Sequence, residues 1–272
     1  GESSGPYHST NPTGTGNAVS DYVDFSSWQS GPFAMTWYVA PGESIQDVVD
    51  AAHVGDTGVV AAGTYVGKVT INKTLTLNGA NVGISAGATP GTRSSESIIQ
   101  GGVQIQANNV VLDGFKIDGP ATSGQKDGIY VLGGTTGLTI ANNVLAGNDN
   151  SGTGPFAIEF GMYTSAIVVR NNYVGNWRST YINPTNPGSN LLLEWNHFYD
   201  NWVGIGSSGL NDVNIQFNKF TSNAIEGWGS DTVGSNVRAH YNDFIGNGAG
   251  INQYVSGQID AVEMTSWENL YA

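Results

Sequence analysis

The stretch "LTIANNVLAGN", Leu138–Asn148, decides the fold, because four later stretches fall into register with it. They are "IVVRNNYVGN" (Ile167–Asn176), "LLLEWNHFYDN" (Leu191–Asn201), "VNIQFNKFTSN" (Val213–Asn223) and "VRAHYNDFIGN" (Val237–Asn247). One Asn recurs at Asn143, Asn172, Asn196, Asn218 and Asn242, at intervals of 29, 24, 22 and 24 residues. A second recurs at Asn148, Asn176, Asn201, Asn223 and Asn247. Before each first Asn the pattern alternates, as Val213, Ile215 and Phe217 do around Asn214 and Gln216. Alternation of period two is the mark of a strand.

A strand, a turn Asn, a second short strand and a second turn Asn, repeated every 22–29 residues, describe one coil of a parallel β-helix. Coils stack at about 4.8 Å and bring like residues into ladders. Asn suits the turns because it tolerates left-handed backbone and its side chain satisfies turn amides. Stacked Asn amides also bond to one another from coil to coil, so the first column is expected to point inward as a ladder. The expected core is Leu138, Ile140, Ile167, Val169, Leu191, Leu193, Val213, Ile215, Val237 and Ala239. Thr139, Val168, Leu192, Asn214 and Arg238 alternate with these and should face outward; burial of that set instead would shift the register by one. Varying coil length places Asp149–Pro155 and Pro184–Asn190 in loops that bulge at one corner.

Upstream, "APGESIQDVVDAAHVGDTGVVAAGTYVGKVTINKTLTLNGAN" (Ala40–Asn81) opens on a short helix. Ser44 is its N-cap, Asp47 follows three residues on as in a capping box, and Ile45, Val48, Val49 and Ala52 share one face. Strands are expected at Thr57–Ala61, Val69–Ile71 and Leu75–Leu77. This helix-plus-GDT-plus-GTY run resembles the opening of right-handed parallel β-helix proteins of the pectin-lyase-like class, where such a helix plugs the first coil. The resemblance runs from Tyr38 to about Glu263 and implies the fold. It leaves function open, because lyases, epimerases, hydrolases and non-catalytic surface repeats share that architecture.

The first residues resemble a different part of the class. "GPYHSTNP" and "GNAVSDYVDFSSW" are similar to the segment that covers the last coil in NosD-like β-helix proteins, yet here they come before the first coil. The chain ends in "AVEMTSWENLYA", with Trp267 near the place of that family's Trp pair. The resemblance implies a circular permutation, or one unit of a continuing array.

Composition narrows the function classes. Nine Lys and Arg stand against 22 acidic residues in a chain of 272, a formal charge of −13. Nucleic acid and anionic membranes are bound through basic patches, so neither is an expected partner. Charged residues are only 11%, against roughly 25% in an average domain, and Gly numbers 39. Cys is absent, so no disulfide contributes. No apolar run reaches the roughly 18 residues of a membrane span, and no leader-like segment opens the chain, as expected of a mature extracellular or cell-surface protein.

The candidate chemistry is sparse. One outward position per coil reads Arg170, Glu194, Gln216 and His240. Glu194 as acid, His240 as base and Arg170 or Arg238 on a substrate carboxylate make a catalytic alternative; a solvated sheet face with charge pairs such as Arg170–Glu194 is the competing reading, and no dedicated catalytic site is expected. Lyases of the class need a base beside calcium-binding acids, hydrolases need converging carboxylates, and the D-P-H-D run of epimerase-like relatives is missing. "NDNSGTG" (Asn148–Gly154) and "DGPATSGQKDG" (Asp118–Gly128) offer oxygens for calcium without a known loop spacing, so no metal or cofactor is expected. Asn72 heads the glycosylation sequon Asn72-Lys73-Thr74. Trp177, Tyr181, Trp202 and Trp228 are either sugar-stacking or packing residues.

The expected architecture is thus all-β: a right-handed parallel β-helix solenoid over residues 37–272, with an N-terminal capping helix, eight or nine coils and a height of about 40 Å. An extended N-terminal arm, residues 1–36, covers the end of a β-helix, burying Tyr22, Val23, Phe25 and Trp28, with Tyr7, near Trp267 and Tyr271. Nine residues from Trp28 to Trp37 reach about 30 Å, too short for the chain's own far end, so a neighbouring copy is the expected recipient. Such head-to-tail donation makes an extracellular filament whose partners are other copies of the chain. The alternative is a carbohydrate-active or carbohydrate-binding β-helix acting on an acidic polysaccharide.

Overall fold

The computed structural model describes residues 34–118, 127–182, 190–231, 235–253, 259–262 and 265–267, and from residue 252 on only their backbone. The arm with Tyr7, Tyr22, Val23, Phe25 and Trp28 lies outside the described residues, as does Tyr271; of Trp267 only the backbone is described.

The described part of the chain opens with a strand at Thr36–Val39, followed by a helix, α1 (Ile45–Ala51). Ser44 caps α1 by accepting a hydrogen bond from Asp47 N at 3.2 Å, and Ile45, Val49 and Ala52 are buried. Gln46 Oε1 accepts from Thr70 N at 2.7 Å and fixes the helix to the coil it covers. The turn after the helix is held by Asp56, the Asp of the GDT run. Its buried carboxylate accepts from Met35 N, Trp37 Nε1 and His53 N, each at 2.8 Å. Burial alone would push this carboxyl up, but the three hydrogen bonds and the neighbouring His53 outweigh it and hold it below its ordinary 3.8.

From there every coil contributes one strand to each of three parallel sheets. The first sheet has ten strands, from Thr36–Val39 to Ile259–Val262; the second has nine, from Gly63–Val66 to Thr265–Trp267. The third has eight, from Val69–Ile71 to Ile251–Gln253, so eight complete coils are present among the described residues. Ten strands at the parallel spacing span about 43 Å. Parallel strands joined by crossovers turn almost always right-handed, which sets the hand of the coil.

The interior is a set of register-locked columns. In the first sheet Leu77, Leu112, Ile140, Val169, Leu193, Ile215 and Ala239 lie one above the next. In the second sheet Phe198, Phe220 and Phe244 stack with ring centroids 4.9 and 4.5 Å apart. All ten residues expected in the core are buried, and Thr139, Val168, Leu192, Asn214 and Arg238 are not. Each apolar side chain removed from water in this way contributes roughly 1.5–3 kcal/mol before the entropy of ordering the coil is set against it.

The Asn ladder turns inward as expected. Asn143, Asn172, Asn196, Asn218 and Asn242 are all buried at the corner between the first and second sheets. The Oδ1 atoms of Asn172, Asn196, Asn218 and Asn242 each accept twice from the Asn above, from the backbone N–H and from Nδ2, at 2.9–3.1 Å, and Asn143 Oδ1 at the top accepts from Phe115 N at 2.9 Å. The remaining Nδ2 proton goes to a strand carbonyl, such as Val169 O for Asn196 at 2.9 Å. The second column is shorter than its sequence suggested. Asn201, Asn223 and Asn247 form it, with Asn201 Oδ1 accepting from Trp177 N at 3.0 Å. Trp177, not Asn176, occupies the column, and Asn148 is exposed. The reason is a missing residue: Asn172 to Asn176 is four positions where the other coils have five, so Asn176 falls on the preceding left-handed position, φ 65°.

The strands near the start differ from expectation. A strand at Gly63–Val66 follows Thr57–Val60, and the third expected strand runs Thr76–Asn78. Asp149–Pro155 leaves between the second and third sheets, while Pro184–Asn190, apart from Asn190 itself, lies outside the described residues. The largest described excursion, Gly79–Glu96, went unread. It runs down the ladder's corner, with Ala86 N donating to Asn171 O at 2.9 Å, Ala88 N to Trp195 O at 2.8 Å and Arg93 Nη1 to Asn142 O at 2.8 Å. Where it stops, Trp195, Phe217 and Tyr241 stack at 4.6 and 5.0 Å along the same corner, all three at positive φ.

Candidate functional site

Outward positions of the third sheet form one continuous row: Tyr130, Glu159, Tyr181, Gly206 and Gly229. The two glycines decide its shape. With no side chain below Tyr181 the row drops into a recess of about 300 Å³. That lies at the lower end of ligand cavities, roughly 300–1,000 Å³, and suits one unit of a longer ligand. A Cβ at Gly229 would meet Glu226 Oε1 and force that side chain to move; at Gly206 it would stand 3.0 Å from Ser179 Oγ.

One wall is a layered stack. The rings of Phe156 and Tyr181 lie 5.0 Å apart at 24°, and the Arg178 guanidinium sits over Phe156, its Cζ 4.7 Å from the ring centroid. Trp202 and Ile225 also line the recess, each 38% exposed. Carboxyl groups close the recess: Glu226, almost buried, above Gly229, and Asp231, exposed, at the end of its strand.

At the upper end Glu159 is hydrogen-bonded to Asp127, whose Oδ1 also accepts from Phe156 N at 2.9 Å. Burial, that hydrogen bond and the charge of Asp127 raise Glu159 from 4.5 to about 7, against the opposing pull of Arg178. Two carboxyls in contact cannot both ionise cheaply, so the pair holds a proton near neutrality. Tyr181 is raised as well, by burial and by Asp231 and Glu159.

The residues singled out in the sequence divide. Trp177 and Trp228 are fully buried packing residues, while Tyr181 and Trp202 line the recess. Arg170, Glu194, Gln216 and His240 do form an in-register row, on the outer face of the first sheet. It is a row and not a converging site: Arg170 and His240 are three strand spacings apart, about 14 Å. Glu194 Oε2 accepts from Gln216 Nε2 at 3.1 Å, and no Arg170–Glu194 ion pair forms among the described residues. Asn72 is exposed in the turn between Val69–Ile71 and Thr76–Asn78. In the Asn148–Gly154 loop Asp149 Oδ1 accepts from Ser151 N at 3.0 Å, and most of the Asp118–Gly128 loop lies outside the described residues. No group of three or more His, Asp or Glu placed to hold a metal occurs among the described residues.

Sequence reasoning missed the recess because its parts come from four coils. Asp127 precedes one strand and Glu159 lies near the end of the next, Phe156–Phe160, in positions that do not repeat, and Gly206 and Gly229 look like ordinary turn glycines. The available signal was the GIGS/GWGS pair, Gly204–Ser207 and Gly227–Ser230, two successive coils with glycine in the same place.

Comparison with known proteins agrees with the coil. A family model described as a right handed beta helix region matches residues 101–265. The chain belongs to the right-handed β-helix family. Among solved structures it is similar to the pectin methylesterase from Aspergillus niger in deglycosylated form, at 11% identity and a TM-score of 0.45, covering 87% of this chain and 86% of that one. No curated protein is similar enough in sequence to match.

Proposed function

We propose that this member of the right-handed β-helix family is an extracellular glycan-binding protein and that the recess on its third sheet is the binding site. The observation that carries the reading is the amphipathic lining: Trp202, and Arg178 layered on Phe156 and Tyr181, around a floor with Gly206 and Gly229. Sugars present apolar C–H faces and polar hydroxyl edges together. Aromatic side chains with polar handles match the first, and guanidinium and carboxyl groups match the second. A glycan array followed by calorimetry tests it. Tyr181→Ala and Trp202→Ala should weaken binding of any hit by about tenfold or more without unfolding the protein. A blank array, or hits indifferent to both substitutions, would refute the reading.

The filament expected from the N-terminal arm rests on Gly1–Trp28, Trp267 and Tyr271, whose side chains lie outside the described residues. It stands as a separate proposal tested by negative-stain electron microscopy of the purified chain and of a form lacking Gly1–Ser30. End-to-end fibres that vanish on deletion would support arm donation; a monomer at high concentration would end it.

A further inference from the structure

The outward carbonyls at the ladder's corner are answered down to Trp195 and then left open. Gly114 O accepts from Asn81 N at 3.2 Å and Asn142 O from Arg93 Nη1 at 2.8 Å. Asn171 O accepts from Ala86 N at 2.9 Å and Trp195 O from Ala88 N at 2.8 Å. All four donors belong to the Gly79–Glu96 excursion. The next two corner residues, Phe217 and Tyr241, repeat the geometry. Their φ angles of 56° and 55° match 56° at Asn171 and 57° at Trp195. Phe217 N bonds to the coil below at 3.1 Å, as Asn171 N and Trp195 N do. The carbonyls of Phe217 and Tyr241 therefore point outward in the same way, yet no donor among the described residues answers them.

The excursion ends for a reason in its own sequence, not because the corner changes. Ala86 and Ala88, two residues apart, donate to successive coils, so the next donor in that series is Pro90, which has no N–H. Gly91 N then turns back to Ser85 O at 2.9 Å. Below Trp195 the corner carries the rings of Phe217 and Tyr241, stacked within 8° of parallel, with Trp195 38% and Tyr241 45% exposed. Open carbonyls beside an apolar surface are a template for strand addition. The covered part of the corner shows what fits it. Ala86 and Gly87 are buried there, and a Cβ at Gly87 would strike Trp195 O, so the occupant is an extended backbone with small side chains.

We propose that the corner at Phe217 and Tyr241 docks an extended segment of a partner protein, rich in glycine and alanine, that continues the pairing Ala86 and Ala88 begin. Its N–H groups donate to Phe217 O and Tyr241 O while its backbone covers the exposed edges of the stacked rings. The interface is continuous with one that a polypeptide already occupies, which favours a protein over a glycan here. The surface is separate from the recess on the third sheet and does not depend on the glycan reading.

The probe is a blocked synthetic peptide with the sequence of Ile84–Thr89, ISAGAT, titrated into the isotope-labelled full chain and followed by NMR. Saturable shifts are expected at the amides of Asn218 and Asn242, which share peptide groups with the two open carbonyls. N-methylation of both alanines in the probe removes the donors and should weaken binding by about tenfold or more. Tyr241→Ala, at an exposed position, keeps the carbonyl, removes one ring and should weaken it by about threefold. No saturable shift, or equal binding of the N-methylated probe, would overturn the proposal. So would shifts of the same amides that grow with protein concentration alone, which would assign the corner to a second copy. Glycan-array hits lost in Tyr241→Ala would assign the rings to sugar and overturn it as well.

Discussion

Asn196 Oδ1 accepts two hydrogen bonds from Asn172 in the coil above, one from its backbone N and one from Nδ2, both at 3.0 Å. Asn196 in turn donates its own N and Nδ2 to Asn218 Oδ1 at 2.9 and 3.0 Å. A single side chain therefore answers donors above and an acceptor below, at zero exposure. Asn196→Ala should cost about 2–4 kcal/mol, since two buried donors on Asn172 and the carbonyl of Val169 lose their partner and a small void opens. Asn196→Asp should be no rescue: it keeps the acceptor, loses both Nδ2 donors and buries a charge. Urea unfolding followed by circular dichroism checks both; a midpoint unchanged in the alanine form would show the ladder to be dispensable.

Asp56 does the corresponding work at the N-terminal end, joining Met35, Trp37 and His53. Asp56→Ala leaves those three donors unanswered and should lower stability by about 2–4 kcal/mol. Its carboxyl titrates below 3.8 in the folded protein, so the folded state binds fewer protons there than the unfolded chain. The stability it contributes is present above the unfolded value and is lost as pH falls through the folded one. Thermal melts at successively lower pH should therefore show a steep acid loss in the wild type and a shallower one in Asp56→Asn. Equal acid slopes would refute this account of Asp56.

The repeat was legible in the sequence because a ladder needs the same residue at the same place in every coil. Asn143 through Asn242 repeat, and the alternation before them places all ten core residues correctly. What repeats imperfectly was misread. Trp177 replaces an Asn after a one-residue deletion, and its bulk fills the corner that the Asn column would have lined. The recess was not legible, because a site that breaks the repeat has no period. Tyr181, Gly206 and Gly229 become neighbours only once the register of the third sheet is known. The GDT run was recognised as a mark of the fold, yet its physical content, one carboxylate answering three donors, needed the coordinates.

The four aromatic residues that sequence alone left undivided should separate by experiment. Trp177 and Trp228 are fully buried, and Trp228 Nε1 donates to Ser207 Oγ at 3.0 Å. Their replacement by Ala should cost about 3–5 kcal/mol. Trp202 is 38% exposed, so Trp202→Ala should change the thermal midpoint little. Parallel melts of the four single variants decide this, and a strongly destabilised Trp202→Ala would assign that ring to packing.

Two titrating groups on different sheets should mask each other near neutrality. His197, on the second sheet, is packed against Tyr173 and Tyr199, with Nε2 2.7 Å from Thr221 Oγ1. Burial, and then the charge of Lys219, lower it from 6.5 to about 4. The unfolded chain binds that proton first, so this residue makes stability rise with pH between about 4 and 6.5. Glu159 works in reverse. Its folded value of about 7 lies above its ordinary 4.5, so the folded state holds the extra proton and stability falls as pH rises through that interval. Both groups keep partial contact with solvent, which trims each effect without changing its sign. The wild type should therefore melt at a nearly constant temperature between about pH 4.5 and 6.5, as the two slopes offset. Glu159→Gln removes the falling limb and should expose a midpoint that climbs with pH; His197→Gln removes the rising limb and should expose one that declines. Melts of the three proteins across that window, with direct NMR titration of the His197 ring, check it. Parallel curves for all three would show that neither group is shifted on folding.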